Sequence, residues 1–144
     1  MPSRAISQII QHQKPVVATS SSSVSEACAL MKGNKIGAVA VVDGGRLRGI
    51  FTERDAVYRV IAENRDPQAT KLADVMTPAP LTIHPDRPFR HALHMMFEGG
   101  FRHVPVVVDG RLLGVVSARD ALSSDLAEFE SDVEDREHIA EILG

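Results

Sequence analysis

The segment Gly45-Arg46-Leu47-Arg48-Gly49-Ile50-Phe51-Thr52-Glu53-Arg54-Asp55-Ala56 returns later in the chain as Gly110-Arg111-Leu112-Leu113-Gly114-Val115-Val116-Ser117-Ala118-Arg119-Asp120-Ala121. Gly114 follows Gly49 by 65 positions, and the same interval pairs Val39 with Val104, Val41 with Val106, Ala27 with Ala92 and Met31 with Met96 without a gap. Such repetition constrains the architecture before any local propensity is read, because each copy has to be one supersecondary unit. One copy is too small to bury both faces of a sheet, whereas 144 residues, 44% of them hydrophobic, suffice for one ordinary core. Two copies packed face to face are therefore expected.

Within each copy the same elements follow in order. A short extended piece (Val16 to Ala18; Leu81 to Ile83) leads to a helix, Val24 to Lys32 in the first copy and Phe89 to Glu98 in the second. Ser23 and Glu26 have the spacing of a capping box, and Pro88 stands at the first helical turn, where its missing N–H costs nothing. Gly33 and the Gly99-Gly100 pair are expected to stop the helices in left-handed turns. Strands Ala38 to Val42 and Leu47 to Phe51 flank Asp43-Gly44-Gly45, and strands Val104 to Val108 and Leu112 to Val116 flank Asp109-Gly110, which is strong hairpin chemistry. A second helix closes each copy, Glu53 to Glu63 and Ala118 to about Phe129. The expected fold is α/β of mixed α+β character, two β-α-β-β-α repeats related by pseudo-two-fold symmetry. Residues 7–63 form the first repeat, 64–71 the linker, 72–127 the second repeat, and 128–144 an acidic tail expected to be helical.

Composition narrows the function. A net charge of -3 gives no basic excess for general nucleic-acid binding, and 4% aromatic residues without tryptophan offer no base-stacking surface. The lone Cys28 excludes an intrachain disulfide and a thiolate metal cluster, and reads as packing in a reducing cytoplasm. No apolar run approaches the roughly 20 residues of a membrane helix, and residues 1–13 lack a signal-peptide core. A cytoplasmic protein is expected.

The end of each hairpin carries the chemistry. A strand ending at Thr52 or Ser117 hands over to a helix whose free amides and positive dipole end can hold an anion. Arg54 or Arg119 adds a charge, and Asp55 or Asp120 can accept hydrogen bonds from a pair of ribose hydroxyls. The plainer alternative is that Thr52 and Ser117 are helix N-caps and each aspartate a first-turn dipole partner. Arg59, one turn after Asp55, is either its salt-bridge partner or a further phosphate contact.

Gly-hydrophobic-hydrophobic-Thr/Ser-x-x-Asp closing a β-α-β-β-α repeat, twice in one chain, resembles the tandem cystathionine β-synthase (CBS) domain pair, also called a Bateman module. The likeness extends to Gly37-Ala38-Val39, Thr52-Glu53-Arg54-Asp55 and Arg102-His103-Val104-Pro105-Val106, which resemble small stand-alone bacterial members. The resemblance implies adenine-nucleotide clefts between the repeats, for AMP, ADP, ATP or NAD(H). One cleft would use Val115, Ser117, Arg119 and Asp120, with Ile36, Gly37, Ala38 and Ser22 around the base. The other would use Ile50, Thr52, Arg54 and Asp55, with Phe101, Arg102 and His103, of which Arg102 and His103 could instead reach phosphates. It also implies a disc-like homodimer, whose apolar helix faces would include Ala27, Leu30 and Met31 and, in the second copy, Leu93, Met96 and Phe97.

Other chemistry finds little support. His91 and His94 lie three apart without a third ligand and beside Arg90, so no metal is expected. Ser20 to Ser23 lack a nucleophile elbow, and no P-loop or dinucleotide glycine pattern is present. No general base and nucleophile pair is evident, so a non-enzymatic regulatory module without a catalytic cofactor is expected. The alternative is an interaction protein with vestigial clefts that docks on an enzyme or transporter.

Overall fold

The computed structural model describes residues 4–122. The chain opens with a short helix α1 (Ile6–Ile9) and a two-residue strand β1 (Val17–Ala18), then helix α2 (Val24–Asn34) and the hairpin β2 (Ala38–Asp43) and β3 (Arg46–Thr52). Helix α3 (Glu53–Asp55) runs on into a π-helical segment over Ala56–Ile61. Helix α4 (Leu72–Val75), strand β4 (Thr77–Pro78), helix α5 (Phe89–Gly99) and the hairpin β5 (His103–Val108) and β6 (Arg111–Ser117) follow.

The hairpins fold as their turn residues dictate. Gly44 and Gly45 stand at φ 58 and 80, and Asp109 and Gly110 at φ 52 and 80. These two-residue loops with positive φ match the twist of the flanking strands. Both hairpins are antiparallel with a register irregularity at equivalent places, Val41/Val42 and Val106/Val107. β1 adds to β2 in parallel, and Ile83 makes the matching parallel bridge to Val106. The expected strand from Leu81 to Ile83 is thus reduced to that one bridge. Arg46 and Arg111 are the single pair joining β3 to β6, so the sheet passes from one repeat to the other at the hairpin tips.

Helix ends follow the sequence with one exception. The Ser23 hydroxyl accepts from the Glu26 amide at 3.1 Å, Pro88 is the N-cap of α5, and Gly100 closes that helix at φ 72. In α2 the helix continues past Gly33 to Asn34, and Lys35 takes the left-handed position at φ 54. The expected stop at Gly33 is therefore two residues early: the Ile36 amide reaches back to the Met31 carbonyl at 3.0 Å, a closure available to a lysine as well. The helix expected over Glu53 to Glu63 is α3 plus the wider segment, with the Ala62 amide bonded to the Val57 carbonyl five residues back. The second copy's closing helix is under way at Arg119, but its reach to Phe129 and the tail from 128 to 144 lie outside the described residues.

The core falls into two clusters, and the short helices are exchanged between them. Leu72 and Val75 of α4 pack with Val24, Ala27, Met31, Val39, Val41 and Phe51 of the first repeat. Ile6 and Ile10 pack with Phe89, Ala92, Met96, Val104 and Val116 of the second. Matching backbone bonds fasten both exchanges, Leu72 N–H to Ser22 O at 2.9 Å and Ile6 N–H to Arg87 O at 3.0 Å. Glycine makes room for them: a Cβ on Gly49 would stand 2.7 Å from the Thr77 carbonyl, and one on Gly114 would stand 2.8 Å from Gln13 Oε1. Ala27, Met31 and Met96, named among the apolar helix faces open to a homodimer, are buried in these cores, whereas Phe97 is exposed.

Leu72 is fully buried, so Leu72→Ala should cost about 2–5 kcal/mol in urea denaturation. Asp74→Ala, on the exposed side of the same helix, should stay within about 0.5 kcal/mol.

Candidate nucleotide cleft

The motif residues meet the opposite repeat in a cleft of about 500 Å3. One wall is the end of β6 and the turn beyond it, with Val115, Ser117, Arg119 and Asp120; the other is Ile36, Gly37 and Ala38, entering β2. Seven of the residues expected around the Asp120 site are thereby brought together. The Ser117 amide donates to Asp120 Oδ2 at 2.7 Å, which holds the carboxylate at the helix start. The segment Gln13 to Val16, of which only Val16 was expected in a regular element, closes a third side. Gln13 bonds both polar groups of the Val115 backbone, donating from Nε2 to the carbonyl at 2.9 Å and accepting the amide at 2.7 Å. A side-chain amide thus does for β6 what strand β4 does for β3. The signal was present in the repeat, since Pro15 stands where Pro80 stands in the second copy.

Two expected residues lie elsewhere. Ser22 does not line the cleft: its hydroxyl is bonded to Thr19 at 3.0 Å, and it borders a depression beside α2 with Glu26, Leu30 and Asn34. The serine is drawn there because its carbonyl receives the exchanged Leu72 amide. His103, assigned to the Asp55 side, lines the Asp120 cleft instead. It pairs with Ser117 across the hairpin, and its Cε1 lies 3.5 Å from the place a Cβ on Gly37 would take.

The Asp55 side is differently arranged. Thr52 and Asp55 form a reciprocal capping box, the Thr52 amide donating to Asp55 Oδ2 at 3.0 Å and the Asp55 amide to Thr52 Oγ1 at 3.2 Å. The other oxygen of the carboxylate receives the Thr77 hydroxyl at 3.5 Å and faces Arg59 Nε at 3.5 Å. Arg59 also donates to the Met76 carbonyl at 2.8 Å. Asp55 is buried, and Arg59 is its ion-pair partner. Ile50 is buried against β4, Phe101 packs on the second core cluster, and Arg102 is exposed.

The motif arginines behave as a pair. Arg119 Nη1 donates to the Lys35 carbonyl at 3.1 Å and Arg54 Nη1 to the Gly100 carbonyl at 3.2 Å. Each guanidinium therefore caps the C-terminus of the other repeat's helix, where a cation is favoured.

A family model described as CBS domain matches residues 6–62 and again 72–126. The chain belongs to the CBS domain family. The CBS domain-containing protein CBSX3, mitochondrial, of Arabidopsis thaliana is 31% identical over 121 residues, 81% of this chain. The chain spans 59% of the length of that protein and 23% of the length of CBSCBSPB5 from the same plant. Among solved structures, a putative signal-transduction protein with CBS domains from Burkholderia ambifaria MC40-6 superposes with a TM-score of 0.77 at 32% identity, covering 86% of this chain and 95% of the other. The CBS domain pair of protein MJ0100, solved with 5′-methylthioadenosine and S-adenosyl-L-methionine, gives 0.76 at 29% identity, covering 90% and 99%. This CBS pair holds no group of three histidine, cysteine or acidic residues able to bind a metal among its described residues, where His91 and His94 are exposed. No described helix is long and apolar enough to cross a membrane.

Burial holds the His103 imidazole below its ordinary value of 6.5, with Arg102 and Arg119 acting in the same direction and Glu53 and Asp120 opposing. Unfolding therefore takes up a proton between the lowered value and 6.5, so this contribution to stability is complete above about pH 6.5 and disappears as pH falls through the lowered value. The denaturation midpoint should drop between pH 7.5 and 5.5, and drop less in His103→Gln.

Proposed function

We propose that the chain is a regulatory module, not a catalyst, that binds an adenine nucleotide in the Asp120 cleft. The observation that carries this reading is the meeting of Ser117, Arg119 and Asp120 of one repeat with Ile36, Gly37 and Ala38 of the other around one cavity. Asp120 accepts the ribose hydroxyls, the backbone of Ile36 to Ala38 flanks the base, and the helix start after Ser117 with Arg119 faces the phosphate. The adenosine derivatives bound by MJ0100 support the ligand class. AMP, ADP, ATP and NAD(H) all carry the recognised adenosine, and a ligand bound to one arrangement of the repeats better than another would shift that arrangement. Asp55 is buried with Thr52, Thr77 and Arg59 against its carboxylate, whereas Asp120 lines the cavity, so the first site to fill is the Asp120 cleft.

Calorimetry with these nucleotides should give one strong site per chain. Asp120→Ala should weaken it by about 1.5–3 kcal/mol, the worth of a charge-assisted bond, while Asp55→Ala leaves the strong site in place. Wild-type affinity in Asp120→Ala would remove the ribose assignment.

Self-association belongs to the same proposal. Phe97 is 88% exposed on α5 and Ile61 70% exposed beyond α3, with Tyr58 and Val57 beside it. Apolar surface of this kind on a small module suits a closed two-fold interface. Light scattering on the full chain should give a mass near twice 15.6 kDa, reduced toward the monomer by Phe97→Glu.

A further inference from the structure

We infer that the Asp120 cleft selects phosphorylated adenosine ligands by taking up a proton on His103 as the anion enters. The inference rests on the nucleotide reading of that cleft and deepens it. His103 begins β5 directly beside Ser117, the residue from which the closing helix starts. The ring is half-buried in the cleft wall, close to Gly37 on the opposite side. Gly37 also has the Glu53 carboxylate against it, so a side chain there would separate the acid from the imidazole.

The groups facing the ring come from every neighbouring element. Glu53 approaches from α3, Asp120 and Arg119 from the helix after β6, and Arg102 adjoins on the same strand entry. Lys14 stands on the third wall of the cleft. Burial of the ring in the cleft wall is the main reason its basicity is lowered, with Arg102 and Arg119 adding to the effect and Glu53 and Asp120 opposing it. A phosphate in the same cleft reverses that balance, since an opposite charge within about 4–6 Å favours the charged form of a base. The protonated ring then gains a second N–H donor toward the phosphate oxygens. The proton comes from solvent and no covalent bond changes. A neutral adenosine supplies no such charge, and a sulfonium nucleoside adds a cation beside Lys14 and Arg119. The cleft therefore prefers phosphorylated ligands, increasingly so at lower pH.

The test is a titration of the histidine Cε1–H resonances of the full chain, with His103 identified by its absence in His103→Gln, run free, with AMP and with adenosine. AMP should raise the His103 pKa by about one unit or more, equivalent to about tenfold tighter binding once the ring is protonated; adenosine should leave it in place. Calorimetry in two buffers of different ionisation enthalpy should show proton uptake with AMP, larger in the wild type than in His103→Gln, which separates the histidine from the phosphate's own titration. Should His103→Gln fold poorly, His103→Asn serves for both purposes. An unmoved His103 pKa in the AMP-saturated protein overturns the inference and leaves the nucleotide reading standing. Failure of both AMP and adenosine to bind overturns the two together.

Discussion

Neither repeat contains its own complete core. Leu72 and Val75, from beyond the linker, fill the first, and Ile6 and Ile10, from before it, fill the second. Apolar burial of this kind is worth about 25 cal/mol per Å2, and here it is available only when the repeats are assembled in one relative position. The rest of the structure depends on this exchange. It lays residues 13–16 beside β6, sets β4 beside β3, and thereby decides what lies over each motif. A cleft between repeats needs repeats that cannot drift, and the exchanged helices hold the two together.

Exchange also makes the two motif ends unequal. Over Asp55 the returning chain presents the Thr77 hydroxyl, and the motif's own helix presents Arg59. Beside Asp120 it presents Gln13, whose amide turns to the Val115 backbone, and Asp120 lines the cleft. Nearly the same motif is thus a closed internal network on one side and a cavity wall on the other. Burial of a carboxylate requires partners, and Asp55 has found them inside the chain.

The hairpins were legible because Asp-Gly turns and β-branched runs act locally, and the repeat interval carried their register from one copy to the other. Ser117, Arg119 and Asp120 stood out because the hairpin end repeats, whereas Ile36, Gly37 and Ala38 were drawn to the same cleft only by the resemblance to CBS pairs. The exchange of α1 and α4 was not legible, because Leu72 follows Ile6 by 66 positions rather than 65, and each helix has only four residues of weak pattern. His103, given to the Asp55 side by the resemblance, lines the Asp120 cleft because it pairs with Ser117 across its own hairpin. Ser22, placed around the base only by the resemblance, turns its hydroxyl to Thr19 and its carbonyl to the Leu72 amide. The difference between the two motif ends did have a trace in the sequence: the position 65 residues after Arg59 is Ser124, so the arginine that pairs with Asp55 one turn on is not repeated in the second copy.

The reach of Arg119 to the Lys35 carbonyl gives that guanidinium two roles. It serves the terminus of α2, held in a left-handed turn that a lysine adopts less readily than glycine. The Lys35 carbonyl it caps lies one residue before Ile36 and Gly37, so the same guanidinium that lines one wall of the cleft also fixes the chain where it enters the other. The width of the cavity is thereby tied to the end of a helix rather than to the sheet alone.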